Sequence, residues 1–243
     1  MPSQMFVLTV AAGKRLIAKG LVQNPVIKNA IANHKLVVLA CTTNAYVMQE
    51  LCGGFDPQDF RRGTTTPPGK ALPVPAQVRD CVVTKDGVDA SRDIFAIAPE
   101  LGAGDVILKG ANAVHLPTGG AGVLIGSENT GTIGACTQAV IGRRALLILP
   151  TGVEKRVSEP IAALAEAVNA PDGAGPRLYP APGKAYTELD AIAELTGCRA
   201  RVAAAGGILG AEGAAYFLCE GTREQLSACA ELMRSVAKEP AFG

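Results

Sequence analysis

Residues 36–40 (LVVLA) and 145–149 (ALLIL) are unbroken apolar runs of strand length. A strand with one wet face alternates apolar and polar residues, so a run without alternation is typical of a strand covered on both faces. Residues 105–109 (DVILK) read as a third such strand. Helical stripes lie between these runs. Residues 12–19 carry Leu16 and Ile17. A second helix opens at Asn24-Pro25, a capping amide followed by a first-turn proline, and places Ile27, Ala30 and Ile31 on one face. Residues 45–51 form a short helix closed by Gly53-Gly54, and a further helix ends near Leu101. Strand and helix thus alternate as in an α/β protein with a mostly parallel sheet flanked by helices.

The rest of the chain adds detail to this frame. Residues 56–85 are rich in proline and glycine and read as loops joining short strands, 80–83 among them. The glycine-rich segment 118–134 leads into a helix over 135–143, and Ser158 is the expected cap of a helix with Ile161, Leu164, Ala165 and Val168 on one face. NAPDGAGP (169–176) reads as a linker. Beyond it the order becomes strand 177–179, helix 186–196 ended by Gly197, strands 199–204 and 214–219, and a last helix. Thr222 and Gln225 have capping-box spacing for that helix, whose Leu226, Cys229, Ala230 and Met233 share a face. Two units are therefore expected, an α/β domain over 1–170 and a small α+β domain over 171–243.

Composition excludes several functions. With a net charge of +1, no Lys/Arg block and few aromatics, the chain lacks both a phosphate-tracking surface and a base-stacking platform, so neither nucleic acid nor a membrane surface is an expected partner. No stretch approaches the ~18 apolar residues of a membrane span, and the first basic residues follow the first apolar run, the reverse of a secretory signal; a cytoplasmic location is expected. The 7 cysteines include no CxxC pair, and the 2 histidines are far apart in sequence, so no disulfide framework, metal site or cofactor is expected. The thiols should be reduced and mostly buried, Cys41 being the expected exception.

Chemistry is sought at the carboxyl ends of the parallel strands, where helices begin with free N–H groups. After the first strand come Thr42, Thr43 and Asn44, hydroxyls and an amide that suit a phosphate or carboxylate and equally suit an ordinary helix cap. After 105–109 come Lys109, Gly110 and Asn112: glycine permits close approach, and lysine and amide can grip an oxyanion, although a strand-end lysine can also simply face solvent. The turn GSENTGTIGA (126–135) could cradle phosphate through Gly131 and Thr132. It also holds Glu128, a candidate nucleophile or base that the helix dipole would stabilise in any case. Lys155 and Arg156 follow the strand 145–149 and could bind an anion or form a solvated turn.

Taken together, AGKRLIAKGL, ANHKLVVLACTTNAYVMQEL, DVILKGANAV and GTIGACTQAVIGRRALLILPTGVEK resemble the NagB/RpiA/CoA-transferase-like superfamily over roughly residues 12–160. The tail after Pro176 is similar to the ferredoxin-like cap of ribose-5-phosphate isomerases. This resemblance implies a small anionic ligand, a sugar phosphate or CoA-like molecule, with Thr42, Thr43 and Asn44 in the phosphate loop; isomerase or acyl- and CoA-transfer activity; and a homo-oligomer. Asn112 stands where the isomerases have an aspartate base, which also admits a non-catalytic ligand sensor of the same fold. Ser127-Glu128-Asn129-Thr130-Gly131 is one residue longer than the transferases' Ser-Glu-Asn-Gly motif and follows a later strand. Glu128 is accordingly expected to line the cleft without forming a thioester, with Lys109 as the other candidate catalytic residue.

Overall fold

The structure is a computed structural model and describes residues 1–57, 60–62 and 78–241. Its strands are β1 (Ser3–Leu8), β2 (Leu36–Val38), β3 (Cys81–Thr84), β4 (Gly87–Asp89), β5 (Val106–Leu108), β6 (Ala113–His115), β7 (Gly120–Ile125), β8 (Leu146–Pro150), β9 (Arg177–Pro180), β10 (Lys184–Tyr186), β11 (Arg199–Ala205) and β12 (Ala215–Glu220). Its α-helices are α1 (Val10–Gln23), α2 (Pro25–Asn33), α3 (Thr42–Cys52), α4 (Ile94–Ile97), α5 (Gly131–Thr137), α6 (Ile161–Val168), α7 (Glu188–Thr196) and α8 (Arg223–Val236).

The fold is mixed α/β around a six-stranded sheet in the order β10-β8-β5-β2-β3-β4. The first four strands of that order are mutually parallel; β3 and β4 continue the sheet antiparallel. The apolar runs have the expected cause. In β2 and its extension, Leu36 and Val38 enter one core with α1, α3 and α7, while Val37 and Leu39 enter a second core with α4 and α5. Ile107, Leu147 and Leu149 repeat the second pattern; β2 and β5 have no wet face to mark with polar residues, whereas β8 leaves Leu146 exposed on its other face. Two three-stranded antiparallel sheets flank this centre, β1-β12-β11 and β6-β7-β9. Phe217 and Cys219 of β12 join the first core, and Ala121, Val123 and Ile125 of β7 join the second.

Several elements differ from the sequence reading. α3 begins at Thr42, not at residue 45, because Cys41 is extended (φ −167°, ψ 165°) and its sulfur accepts from Asn44 N, which makes the cysteine the cap and puts both threonines in the first turn. Within the glycine-rich segment, 120–125 is the strand β7, whose inward residues alternate with Gly122 and Leu124. Ser158 caps nothing: α6 starts behind Pro160 without a side-chain cap. β1 pairs with β12 from the opposite end of the chain. Two further pairings join strands on either side of residue 170, β9 with β7 and β10 with β8. Other expectations coincide with the structure: Asn24 caps α2, Gly197 ends α7 in the left-handed region (φ 71°), and Thr222 and Gln225 form a complete capping box. The proline-rich loop TTTPPGKALPVP lies outside the described residues apart from its flanks.

Candidate functional site

Adjacent parallel strands bring their carboxyl-terminal loops together, and here β10, β8, β5 and β2 are consecutive neighbours. After β2 the chain enters α3 through Cys41 and Thr42, both half-buried. After β5 come Lys109 and Gly110. A Cβ on Gly110 would lie 2.8 Å from Cys41 Sγ, so only glycine lets the two loops touch. After β8 the chain makes a tight turn through Gly152 to Lys155, and after β10 it enters α7 at Glu188.

These loops meet α1. Lys14 Nζ donates to Thr42 Oγ1 at 3.0 Å, which ties the second turn of α1 to the first turn of α3. Glu188 is only 3% exposed although it opens a helix. Thr187 and Asp190 complete the capping box of α7 without it, so its side chain is free to turn inward, where Oε2 accepts from Val153 N at 2.9 Å. Its Oε1 faces Gly13, where any side chain would collide with it. Lys155 Nζ donates to Ala111 O at 2.9 Å, and Glu154 folds back against Gly152. Lys14, Thr42, Glu154, Lys155 and Glu188 therefore form one cluster built by four elements.

Burial governs its electrostatics. It pushes the Glu188 carboxyl up to about 8, and the neighbouring Glu154 pushes the same way; the N–H groups of Glu188 and Val153 and the charge of Lys155 oppose them. The Lys14 amine is held below the ordinary lysine range, first by burial and next by Lys155, against the pull of Glu154, Cys41 and Glu188. Lys109, half-buried across Cys41, is also lowered, chiefly by burial, with Arg62 adding to the effect. Among the described residues neither Lys14 nor Lys109 forms an ion pair, while Arg62 is committed to Asp80 at 2.8 Å. Two lysines beside a helix N-terminus and outside ion-pair distance of the nearby carboxylates favour an anion, and a protonated buried carboxyl beside a depressed amine favours proton transfer.

The residues expected from sequence fall into three groups. Thr42, Gly110 and Lys155 converge, whereas Lys109 sits beyond Cys41 with Cys136, Arg62 and Asp80 as its charged and polar surroundings. Thr43 and Asn44 are buried beneath them: Asn44 Nδ2 donates to Leu39 O (2.7 Å) and Leu108 O (3.0 Å), which locks the ends of β2 and β5 together, while Oδ1 has no partner. Asn112 sits apart, its amide oxygen accepting from Leu124 N at 3.0 Å as it extends the β6–β7 ladder. Arg156 is exposed and donates to Val153 O at 3.1 Å. Glu128 is exposed in the turn from β7 to α5, with no hydrogen bond or ion pair among the described residues; Gly131 (φ 58°) and Thr132 begin α5. That turn leaves an outer antiparallel strand, not a parallel one.

Sequence reasoning missed Lys14, Glu154 and Glu188. For Lys14 a signal existed: Gly13 inside a helix costs about 0.5–1 kcal/mol relative to alanine and implies close packing. Glu188 carried none, since a first-turn acid normally faces water near the helix dipole. Among the described residues no group of three or more His, Cys, Asp or Glu is placed to hold a metal ion. No helix among them is long and apolar enough to cross a membrane. A groove of about 310 Å³ between α1, α3, α7 and α8 shares no residue with the cluster, and its charges, Lys19 and Glu50, pair with each other at 3.7 Å. Comparisons with protein-family models, with curated proteins and with solved structures return no match to this chain.

Proposed function

We propose that the chain binds a small phosphorylated or CoA-like anion at the ends of β2, β5 and β8, as a NagB/RpiA/CoA-transferase-like protein with a ferredoxin-like cap over its C-terminal part. The observation that carries this reading is the convergence of Lys14, Thr42, Gly110 and Lys155: two lysine side chains, a helix N-terminus and a glycine at which the loops after β2 and β5 meet. The four parallel strands support the superfamily reading, since its ligands sit at such strand ends. Isomerisation fits the cluster better than acyl transfer, because a buried carboxyl and a depressed amine are there to move protons. Glu128 has no place in this scheme, being exposed and apart. Calorimetric titration with inorganic phosphate, ribose 5-phosphate and CoA tests it. At least one probe should bind, and Lys14→Ala with Lys155→Ala should weaken it by roughly 100-fold, about 1.5 kcal/mol for each charge-assisted hydrogen bond. Binding of none of the three, or binding indifferent to both substitutions, would sink the proposal.

A further inference from the structure

The ammonium of Lys14 has an unusual partner. Two carboxylates, Glu154 and Glu188, act on it electrostatically, yet neither lies within ion-pair distance, and its hydrogen bond goes to the hydroxyl of Thr42. A carboxylate would lock the charged form in place. A hydroxyl serves both forms, accepting from an ammonium or donating to a neutral amine. The groups facing Lys14 from neighbouring elements are Cys41 and Thr42 at the start of α3, Glu154 and Lys155 in the turn after β8, and Glu188 at the start of α7. Glu188 presents Oε1 to α1 at Gly13, the residue next to Lys14, while Oε2 is held by Val153 N. A lysine desolvated beside a second cation is the recognised setting for a nucleophilic amine.

We infer that Lys14 is a nucleophile that forms an imine with a carbonyl compound bearing an anionic group, and that Glu188 supplies the proton for the dehydration step. The inference rests on the anion site proposed above, with Lys155 and the N-terminus of α3 holding the anionic end. The neutral amine of Lys14 attacks the carbonyl carbon; the C–N bond forms, the carbonyl π pair moves to oxygen, and one amine proton follows it to give the carbinolamine. The nitrogen lone pair then closes the C=N bond as the C–O bond breaks, and the hydroxyl leaves as water with the proton of the Glu188 carboxyl. The products are a protonated imine, a Glu188 carboxylate and one water. Burial raises the Glu188 carboxyl to about 8 and lowers the Lys14 amine, so the pH ranges of protonated acid and neutral amine move towards each other. Gly13 is required because any side chain there would come between Oε1 and α1.

Reductive trapping tests the inference on the full chain. Glycolaldehyde phosphate and uncharged glycolaldehyde are each incubated with the protein, borohydride is added as the hydride donor, and the modified residues are mapped by peptide mass. The phosphorylated probe should modify Lys14 at least 10-fold faster than any other lysine, with a maximum on the pH axis where neutral amine and protonated Glu188 overlap. Lys14→Arg, which keeps the charge but is no nucleophile, should abolish that adduct, and Glu188→Gln, which retains an acceptor for Val153 N, should slow it about 10-fold. Circular dichroism establishes that both variants are folded. Labelling spread evenly over surface lysines, or confined to Lys109 or Lys155, would overturn the inference, and phosphate binding without any trapping would overturn it while leaving the anion site standing. Selective trapping at Lys14 by both probes alike would support the amine and remove the anion site.

Discussion

The end of β2 and the turn after β7 both offer small polar residues leading into a helix, yet the protein treats them differently. In Ser127–Gly131 the polar groups turn outward: Glu128 is solvated, and Ser127 Oγ accepts from Asn129 N at 3.3 Å as in an ordinary surface turn. At Cys41–Asn44 the groups turn inward: Thr42 is engaged by Lys14, the Asn44 amide nitrogen by two strand carbonyls, and Cys41 by the close approach of Gly110, while Thr43 is buried. The difference comes from the strands that feed them. β2 lies inside a sheet covered on both faces, so its end is walled by neighbouring loops, whereas β7 belongs to an outer antiparallel sheet. A motif becomes a site where several elements converge on it, and glycines or a carboxylate in sequence do not bring that about.

The strongest way to break this contrast is Asn44→Ala. It removes two buried hydrogen bonds joining the ends of β2 and β5, each contributing about 1–1.5 kcal/mol, so the variant should lose about 2–3 kcal/mol in urea unfolding. A loss below about 0.5 kcal/mol would mean that the strand-end lock is not a lock.

Glu188 sharpens the contrast through pH. Its carboxyl titrates at about 8 in the folded chain against 4.5 as the ordinary value, so between these limits the folded state holds a proton that the unfolded chain has released. The contribution of Glu188 to stability is therefore fully present below about pH 4.5 and is lost as pH rises towards 8, by at most about 1.4 kcal/mol per pH unit. Glu188→Gln removes this slope, and relative to wild type the variant should gain on the order of 2 kcal/mol between pH 6 and pH 8. Parallel stability curves for the two proteins over that range would place the carboxyl in water after all.

The smallest expected effect belongs to the other side of the comparison. Glu128→Gln alters an exposed side chain with no partner among the described residues, so stability should move by less than about 0.5 kcal/mol. Affinity for whichever phosphate-bearing probe binds should change by less than about twofold. A larger effect on affinity would bring the glycine turn into the site and erase the distinction drawn here.

What the sequence determined by itself is local or periodic. The unbroken run at 36–40 specifies a strand covered on both faces, because covering both faces removes the need for polar alternation; the equally apolar run at 145–149 specifies a strand too, although Leu146 is left exposed. Asn24-Pro25, Gly197 and the Thr222/Gln225 pair specify helix ends through hydrogen bonds spanning two to four residues. Tertiary structure alone decided the rest. Pairing of β1 with β12, or of β9 and β10 with strands before residue 170, leaves no trace at short range, since a strand's pattern records which face is buried and not which neighbour lies beside it. Lys14 and Glu188 are 174 positions apart, counting from 14 to 188, and read separately each is a helical residue expected to face water. Only the packing of α1 and α7 over the ends of β2 and β8 removes that water, and with it comes the shift of both groups towards their neutral forms.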